Sequence, residues 1–507
     1  VVGSVLWSAI SDVVQWQVLL VIAVSAVYGI FVGAIPGLTA TMAVALVVPL
    51  TFYLTDVQAV AAIVTTVTCS IFAGDIPATL VRIPGTPASA AYASDAYALT
   101  KQGRFTEALT TSLVFSVIGG LIGTIALAFA APMLAGLATQ FTSYEYFWLY
   151  ILGLTCAVIV SGDSRLRGAI SLLIGLLLST VGLATDFSYP RLTFGLEELI
   201  TGVSFIPAMI GLFGISEVLR LSLSLHHPPD ELSPTLPQNN SVTLSFMRVF
   251  PAIWKRKWHT MRSSLIGSLV GMLPGAGADI AAWISYAVSK RLSRRPSQYG
   301  HGSLEGIADA SGANNAALGG AWIPALVFGI PGDSVTAIAI GVLLMKNITP
   351  GPNIFDATEN AHQASLVVSI YVTFVIASLM LIPFGVAAIR VGAYLIQIPR
   401  TILLPLIVLF CIVGSYSMAS SYFDVWIMLF TGLLGFGLER FKFPLGPVVL
   451  GLILGGQVEH RFLQSLTKST DVSAFFASPI SAVLGLCCMC LWIAPLLIPR
   501  QAADEPK

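Results

Sequence analysis

The sequence predicts an all-α polytopic membrane protein of two inverted-topology repeats, with re-entrant hairpins and discontinuous helices. Composition carries the first part: 56% of the 507 residues are hydrophobic and 10% charged, against about 25% charged in a soluble protein. Long apolar runs without period-2 alternation argue against an outer-membrane barrel. A Pro-Gly phrase that occurs in each half carries the second part, and a switch in where Lys and Arg fall carries the third.

The phrase is clearest in Val270–Trp283, which reads Val-Gly-Met-Leu-Pro-Gly-Ala-Gly-Ala-Asp-Ile-Ala-Ala-Trp. Basic clusters flank it at Lys255–Arg262 and Lys290–Arg295, with only about 27 residues between Arg262 and Lys290. A spanning helix takes roughly 20 apolar residues, so this stretch cannot cross twice, and two basic flanks belong on the cytoplasmic side. The spacing predicts a re-entrant hairpin with its tip at Pro274–Gly277. Gly and Pro open the backbone there, and open backbone is tolerated at membrane depth only where protein or a wet cavity covers it.

An earlier copy reads Val32-Gly33-Ala34-Ile35-Pro36-Gly37 with Ala40 and Ala43, matching Val270-Gly271-Met272-Leu273-Pro274-Gly275 with Ala278 and Ala281. A second pair follows each copy. Ile76-Pro77-Ala78 leads to Ile83-Pro84-Gly85, and Ile323-Pro324-Ala325 leads to Ile330-Pro331-Gly332, at identical internal spacing. Two motifs recurring in one order predict an internal duplication. Interrupted apolar segments at corresponding places in two halves point to a transporter's binding site.

In chain order, Trp7 and Trp16 suit a membrane interface, and the N-terminus lacks the basic region of a cleavable signal, so none is expected. Apolar segments Val18–Ile35 and Thr41–Leu54 flank the first break, and Val57–Ala73 precedes Gly74-Asp75. Further segments are expected near 109–131, 144–161, 168–185 and 200–223. His226 to Trp258 is the long polar interval and reads as the boundary between halves. The expected organisation is a first repeat over 1–225, a cytoplasmic linker over 226–258 and a second repeat over 259–500. After the second phrase, segments follow near 364–388, 401–417, 423–438, 444–457 and 474–498.

Lys and Arg set the orientation. Loops 101–104 and 165–167 are basic, whereas 51–58 has neither residue; its counterpart in the second half is the basic 290–295. Conversely, the counterpart of 162–168 is Ser415–Asp424, which has none. Basic character changes faces between the copies, as an inverted duplication requires.

Several classes fall away. Net charge is zero, so no nucleic-acid partner is indicated. No Gly-Lys dipeptide exists, hence no Walker-type loop. Gly74-Asp75 alone is a weak case for an intramembrane protease, and no enzyme is expected. The six cysteines (Cys69, Cys156, Cys411, Cys487, Cys488, Cys490) sit in apolar segments and read as packing groups; His226-His227 reads as solvated linker. No cofactor is expected.

These motifs resemble the large permease subunit of the tripartite tricarboxylate transporters. In the first half the resemblance rests on Gly33-x-x-Pro36-Gly37, Ile83-Pro84-Gly85-Thr86-Pro87-Ala88-Ser89-Ala90-Ala91, Asp95-Ala96-Tyr97 and Lys101-Gln102-Gly103. In the second it rests on Gly271-x-Leu273-Pro274-Gly275-Ala276-Gly277, Ala313-Asn314-Asn315-Ala316-Ala317, Gly319-Gly320 and Ile330-Pro331-Gly332. Arg191-x-Thr193-Phe194-Gly195, Gly211-Leu212-Phe213 and Pro350-Gly351-Pro352 fit too. The resemblance implies a bacterial inner-membrane secondary transporter driven by a cation gradient, Na⁺ or H⁺. It also implies a periplasmic solute-binding protein that delivers a small organic acid, and a small membrane subunit completing the complex in the lipid bilayer. This chain departs from the expected pattern at Asp75, Pro77, Arg82, Asp279 and Ser311.

The breaks supply the candidate site. A half-helix N-terminus carries about +0.5 charge and up to four free N–H groups, which suits a carboxylate. Gly37, Thr39 and Thr41 follow the first tip; Gly85, Thr86 and Ser89 belong to the second; Gly275, Gly277, Gly332 and Ser334 are their counterparts. The hydroxyls could line an anion cradle or cap broken helices. Asn314 and Asn315 could bind substrate or Na⁺, or bridge helices. Asp75, Asp279 and Asp333 adjoin the breaks, and a carboxylate at such depth could be a cation ligand or a proton carrier, with Asp279 and Asp333 the candidate ligands of the coupling cation; each could instead be a cap. Arg82 could grip a substrate carboxylate or neutralise Asp75. The rival to a carrier is an inverted-repeat anion channel.

Overall fold

The computed structural model describes residues 2–36, 38–160, 164–184, 189–223, 242–275, 277–358, 360–395, 400–469 and 471–497. The first helices are α1 (Val2–Val14), α2 (Trp16–Gly33), α3 (Ala40–Thr51), α4 (Asp56–Ala73), α5 (Asp75–Val81), α6 (Ala93–Lys101) and α7 (Phe105–Ala138). There follow α8 (Ser143–Val160), α9 (Arg165–Ser179), α10 (Phe205–Met209), α11 (Ser216–Leu223), α12 (Val242–Lys255), α13 (Lys257–Gly271) and α14 (Gly277–Leu292). The last are α15 (Leu304–Phe328), α16 (Ser334–Met345), α17 (Ala361–Leu395), α18 (Arg400–Ala419), α19 (Tyr422–Arg440), α20 (Leu445–Lys468) and α21 (Pro479–Leu497). Among the described residues the one sheet is a ribbon of β1 (Gly182–Leu183) and β2 (Pro190–Arg191). Among the described residues seven helical stretches are long and apolar enough to cross a membrane. The chain is an all-α polytopic membrane protein.

Its residues form two compact units, Val1–Thr139 with Ser204–Leu445, and Gln140–Val203 with Gly446–Lys507. In the first unit small residues let helix backbones touch, the usual way helices associate where lipid removes the hydrophobic drive. A Cβ added at Gly29 or Gly33 of α2 would sit 2.6 or 2.4 Å from the carbonyl oxygens of Thr66 and Ser70 on α4. The same contact recurs between α13 and α15: Gly267 and Gly271 meet the carbonyls of Ala313 and Ala317 at 2.2 and 2.3 Å. These are corresponding residues in the two copies of the repeated phrase. In both cases residue numbers rise together, so each pair runs parallel. Gly119 and Gly123 on α7 seat in the same manner against Gly312 and Ala316 of α15.

Both phrases fold back as hairpins. Tyr28 of α2 donates to the Ala43 carbonyl of α3 at 3.1 Å, and the two residues lie nearly equidistant from the break. At the other phrase, Arg262 near the start of α13 and Ser289 near the end of α14 reach the same carboxylate oxygen, Asp309 Oδ2, at 3.0 and 2.6 Å. Thr55 opens α4 with a capping box on Gln58, and α4 continues through Gly74 into α5 as one stretch of 26 residues. Of the polar interval 226–258, residues 224–241, including His226 and His227, lie outside the described residues. The rest contains α12, whose Val242, Ser245 and Val249 are buried while Leu244, Met247, Phe250 and Trp254 are exposed.

In the second unit, α8 meets α21 where Glu145 accepts hydrogen bonds from Thr142 and Ser478. Backbone packing joins α9 to α20: a Cβ at Gly175 would lie 2.0 Å from the Val448 carbonyl oxygen. Arg191, in strand β2 of the ribbon, holds Glu459 bidentately at 2.7 and 2.9 Å.

Candidate functional site

The four breaks come together in the first unit as two crossed pairs. Within the first half, the Gly85 N–H donates to the Gly74 carbonyl at 3.1 Å, and a Cβ at Gly85 would meet Gly74 Cα at 2.6 Å and the Gly33 oxygen at 3.0 Å. Within the second, Gly332 fits the same niche: its Cβ would meet the Gly271 oxygen at 2.7 Å and Ala321 Cα at 2.8 Å. The Gly275 N–H donates to the Gly332 carbonyl at 2.8 Å. Across halves, Thr41 Oγ1 lies 2.9 Å from Ser334 Oγ, and the Ala88 N–H donates to Asp279 Oδ1 at 3.2 Å. Asp279 occupies the place in the second phrase that Thr41 occupies in the first. Trp283 Nε1 adds a bond to the Pro87 carbonyl at 3.2 Å.

The backbone at these points requires glycine. Gly275 and Gly277 have φ of +78° and +55°, a region closed to most side chains. A Cβ at Gly277 would also lie 2.9 Å from Asp333 Cβ.

The expected residues divide by accessibility. Thr39, Thr41, Gly275, Asp333 and Ser334 are half-buried and Asp279 is exposed, whereas Gly85, Thr86, Ser89, Gly277, Asn314, Asn315 and Gly332 are buried. Gly37 lies outside the described residues. Several side chains are occupied as caps. Thr39 accepts from the Met42 N–H at 3.2 Å to start α3. Thr86 and Ser89 cap one another's backbone N–H at 3.2 Å each. Asp333 caps α16 reciprocally with Thr336, at 2.7 and 2.9 Å. Capping leaves each of these groups lone pairs with which to meet a ligand.

Asn314 and Asn315 are different. Each is 1% exposed. Among the described residues neither Oδ1 nor Nδ2 of Asn314 has a partner in good hydrogen-bond geometry, and nor does Asn315 Oδ1. Only Asn315 Nδ2 reaches a partner, the Ser311 carbonyl at 3.5 Å. A buried polar atom without a partner costs about 1–3 kcal/mol, a cost that a ligand reaching these carboxamides would offset.

Next to them is a group that motif reading left scattered. Asp75, 2% exposed, accepts from the Tyr92 hydroxyl at 2.6 Å and from Ser112. The Asn314 amide neighbours the same Tyr92 hydroxyl. Sequence gave no direct signal for Tyr92 or Ser112; only a buried Asp beside a helix break hinted that partners must exist. Arg82 is not one of them. It forms no ion pair among the described residues and ends α5 in the left-handed region at φ 59°. Thr100 holds the Thr79 carbonyl at 2.7 Å, so the end of α5 that precedes Arg82 packs beside the end of α6.

Other ionic groups brace the scaffold. Asp309, fully buried, binds Arg256 and Arg262 at 3.0 Å each. Asp95 takes the N–H groups of Gly300, Gly302 and Ser303 at 2.7–2.8 Å, and the Tyr286 hydroxyl at 2.6 Å.

Comparison with known proteins agrees with this architecture. The family model described as the tripartite tricarboxylate transporter TctA family matches residues 19–450. A 52.8 kDa protein in the TAR-I ttuC′ 3′ region of Agrobacterium vitis is 33% identical over 487 residues, 94% of this chain and 93% of that protein. A protein in the TAR-II ttuC′ 3′ region of the same organism is 36% identical over 231 residues, 45% of this chain and 93% of that protein. No solved structure matches. With most of its length matched by that model and by a full-length relative, this chain belongs to the tripartite tricarboxylate transporter TctA family.

Proposed function

We propose that this membrane transporter component is the permease of a tripartite system, importing a small di- or tricarboxylate with Na⁺ or H⁺. A periplasmic solute-binding protein delivers the acid and a small membrane subunit completes the assembly in the bacterial inner membrane. The observation that carries the reading is the crossing of four helix breaks beside the buried carboxamides of Asn314 and Asn315, whose oxygens have no partner among the described residues. Three helix starts, those of α3, α14 and α16, face this point and favour an anion. Asp279 and Asp333 stand at the same point, so an entering carboxylate needs a cation to offset their charge. That requirement supports symport.

The two halves are inverted copies in this reading, and alternating exposure of the crossed breaks moves the acid. The test is uptake of a panel of small organic acids into proteoliposomes holding the complete complex, with binding protein, with and without an imposed Na⁺ or H⁺ gradient. Saturable, gradient-dependent accumulation of one acid supports the carrier. Flux that neither saturates nor follows a cation gradient would favour an anion channel.

A further inference from the structure

Asp75 is a buried carboxylate with no ion-pair partner among the described residues. The elements packed around it supply only neutral partners. Tyr92 comes from the turn before α6 and Ser112 from α7. Asn314 comes from α15, beside Tyr92. The charged groups on those elements are engaged elsewhere. Glu107 of α7 is held by Arg104 at 2.8 and 2.9 Å. Asp309 of α15 is held by Arg256 and Arg262, and Asp95 of α6 by backbone N–H groups of 300–303. Lys101 lies over the Tyr97 ring. Helix α17 meets α5 through Gly392 on Ile76, and its Arg390 is exposed. Arg82, on α5 itself, makes no ion pair among the described residues.

An ionised carboxylate taken from water without a partner charge pays a penalty that two hydroxyl donors only partly offset. The group escapes that penalty by taking up a proton. Hydroxyls suit either state, since each can donate to a carboxylate or accept from a carboxylic acid. The Asn314 amide, buried with both polar atoms unpaired, lies one hydroxyl away.

We propose that Asp75 is a proton-binding group, protonated in this conformation and linked through Tyr92 to the unpaired amide of Asn314, so that proton binding and ligand binding at the crossed breaks are coupled. The proton comes from water and returns to it when the site opens; no other bond is made or broken. This proton site is separate from Asp279 and Asp333. Its link to transport rests on the function proposed above, but proton binding itself does not.

The test is infrared spectroscopy of the purified full-length chain in nanodiscs, with no substrate added, read in the carbonyl-stretch region of protonated carboxylic acids. Wild-type protein is expected to show a band that is lost as pH rises and is missing from Asp75→Asn at every pH. Tyr92→Phe and Ser112→Ala, which each remove one hydrogen bond to the carboxyl, should keep the band but shift its frequency. A band unchanged in Asp75→Asn would overturn the proposal, as would the absence of any wild-type band. Should Asp75→Asn fail to elute as a folded species, an identical band in wild type, Tyr92→Phe and Ser112→Ala would overturn it equally. Exchange of choline chloride for NaCl at constant pH should leave the band in place; loss of the band on adding Na⁺ would assign the site to a metal ion instead. Failure of the transport reading would appear elsewhere, as absent acid-dependent flux in wild-type proteoliposomes.

Discussion

The Thr41 and Ser334 hydroxyls lie 2.9 Å apart at the starts of two helices from opposite halves of the chain. At the far ends of the same helices, Lys346 Nζ donates to the Leu54 carbonyl at 2.5 Å and the Phe52 carbonyl at 3.3 Å. Helices α3 and α16 therefore run side by side in one direction. Each has 12 residues, about 18 Å at 1.5 Å per residue, too short to span a bilayer. Their paired starts are thus set well inside from the end marked by Lys346.

A double-mutant cycle on Thr41→Val and Ser334→Ala tests that pairing. A hydroxyl pair of this kind contributes about 1 kcal/mol, and contacting residues are non-additive. Thermal unfolding of the two single variants and the double variant in detergent should show a coupling of that order. Strict additivity would mean that the hydroxyls do not interact.

Asn314→Ala should separate stability from function. Because the amide makes no well-formed hydrogen bond among the described residues, its removal is expected to leave the unfolding temperature unchanged or raise it. Substrate-dependent uptake should nonetheless fall severalfold, as a contact worth on the order of 1 kcal/mol is lost. A destabilised variant with normal uptake would make Asn314 a structural residue.

Substitutions at the second tip act through the backbone. Gly275→Val places a β-branched side chain at φ +78°, where such residues are strained, and Gly277→Ala adds a Cβ 2.9 Å from that of Asp333. Both should abolish most uptake, with Gly275→Val also reducing yield in detergent. Uptake at wild-type level in both would mean that the crossed breaks are kinks and the site lies elsewhere.

How much of this was legible depended on distance along the chain. Proline and glycine announce breaks locally, so the tips at Pro36 and Pro274 and the counterparts Gly85 and Gly332 were readable directly, and duplication paired them. Asp333 as a cap was open to reading because Thr336 lies three residues on. The Asp75–Tyr92 bond was not: Tyr92 sits in a polar stretch and reaches Asp75 only because the chain doubles back after Val81. Asp95 was less legible still. Three of its partners lie more than two hundred residues away and are backbone N–H groups, which leave no trace in side-chain patterns. Nearness in sequence did not make Arg82 the counter-ion of Asp75, with which it forms no ion pair among the described residues.

Asp95 gives the converse of the Asn314 test. Its carboxylate gathers three backbone N–H groups ahead of α15, and hydrogen bonds to a charged group contribute about 1.5–3 kcal/mol each. Asp95→Asn should lower the unfolding temperature and the yield, while uptake per folded molecule stays near wild type. An Asp95→Asn protein of full stability would show that the loop at 300–303 holds itself.

The proposal that the two halves are inverted copies makes a prediction about sidedness. Thr55 opens the 26-residue stretch of α4 and α5, about 39 Å long at 1.5 Å per residue, and the far end reaches Thr100 through the Thr79 carbonyl. Gln102 lies 3.5 Å from the His301 carbonyl, which puts the basic loop 101–104 beside the segment that follows the basic 290–295. Thr55 and its counterpart segment near Arg294 thus belong at opposite ends of the helices, and the positive-inside rule assigns the basic end to the cytoplasm. Single cysteines at Lys101 and Arg294, with the exposed Cys487 and Cys490 replaced by Ser, should react with a membrane-impermeant maleimide only in inside-out vesicles. A cysteine at Thr55 should react only in intact spheroplasts. That substitution weakens a helix cap by about 1 kcal/mol, a loss the fold should tolerate. Reaction of the Thr55 and Arg294 sites from one side would put the two copies in the same orientation, and the inverted-repeat reading would fall with it.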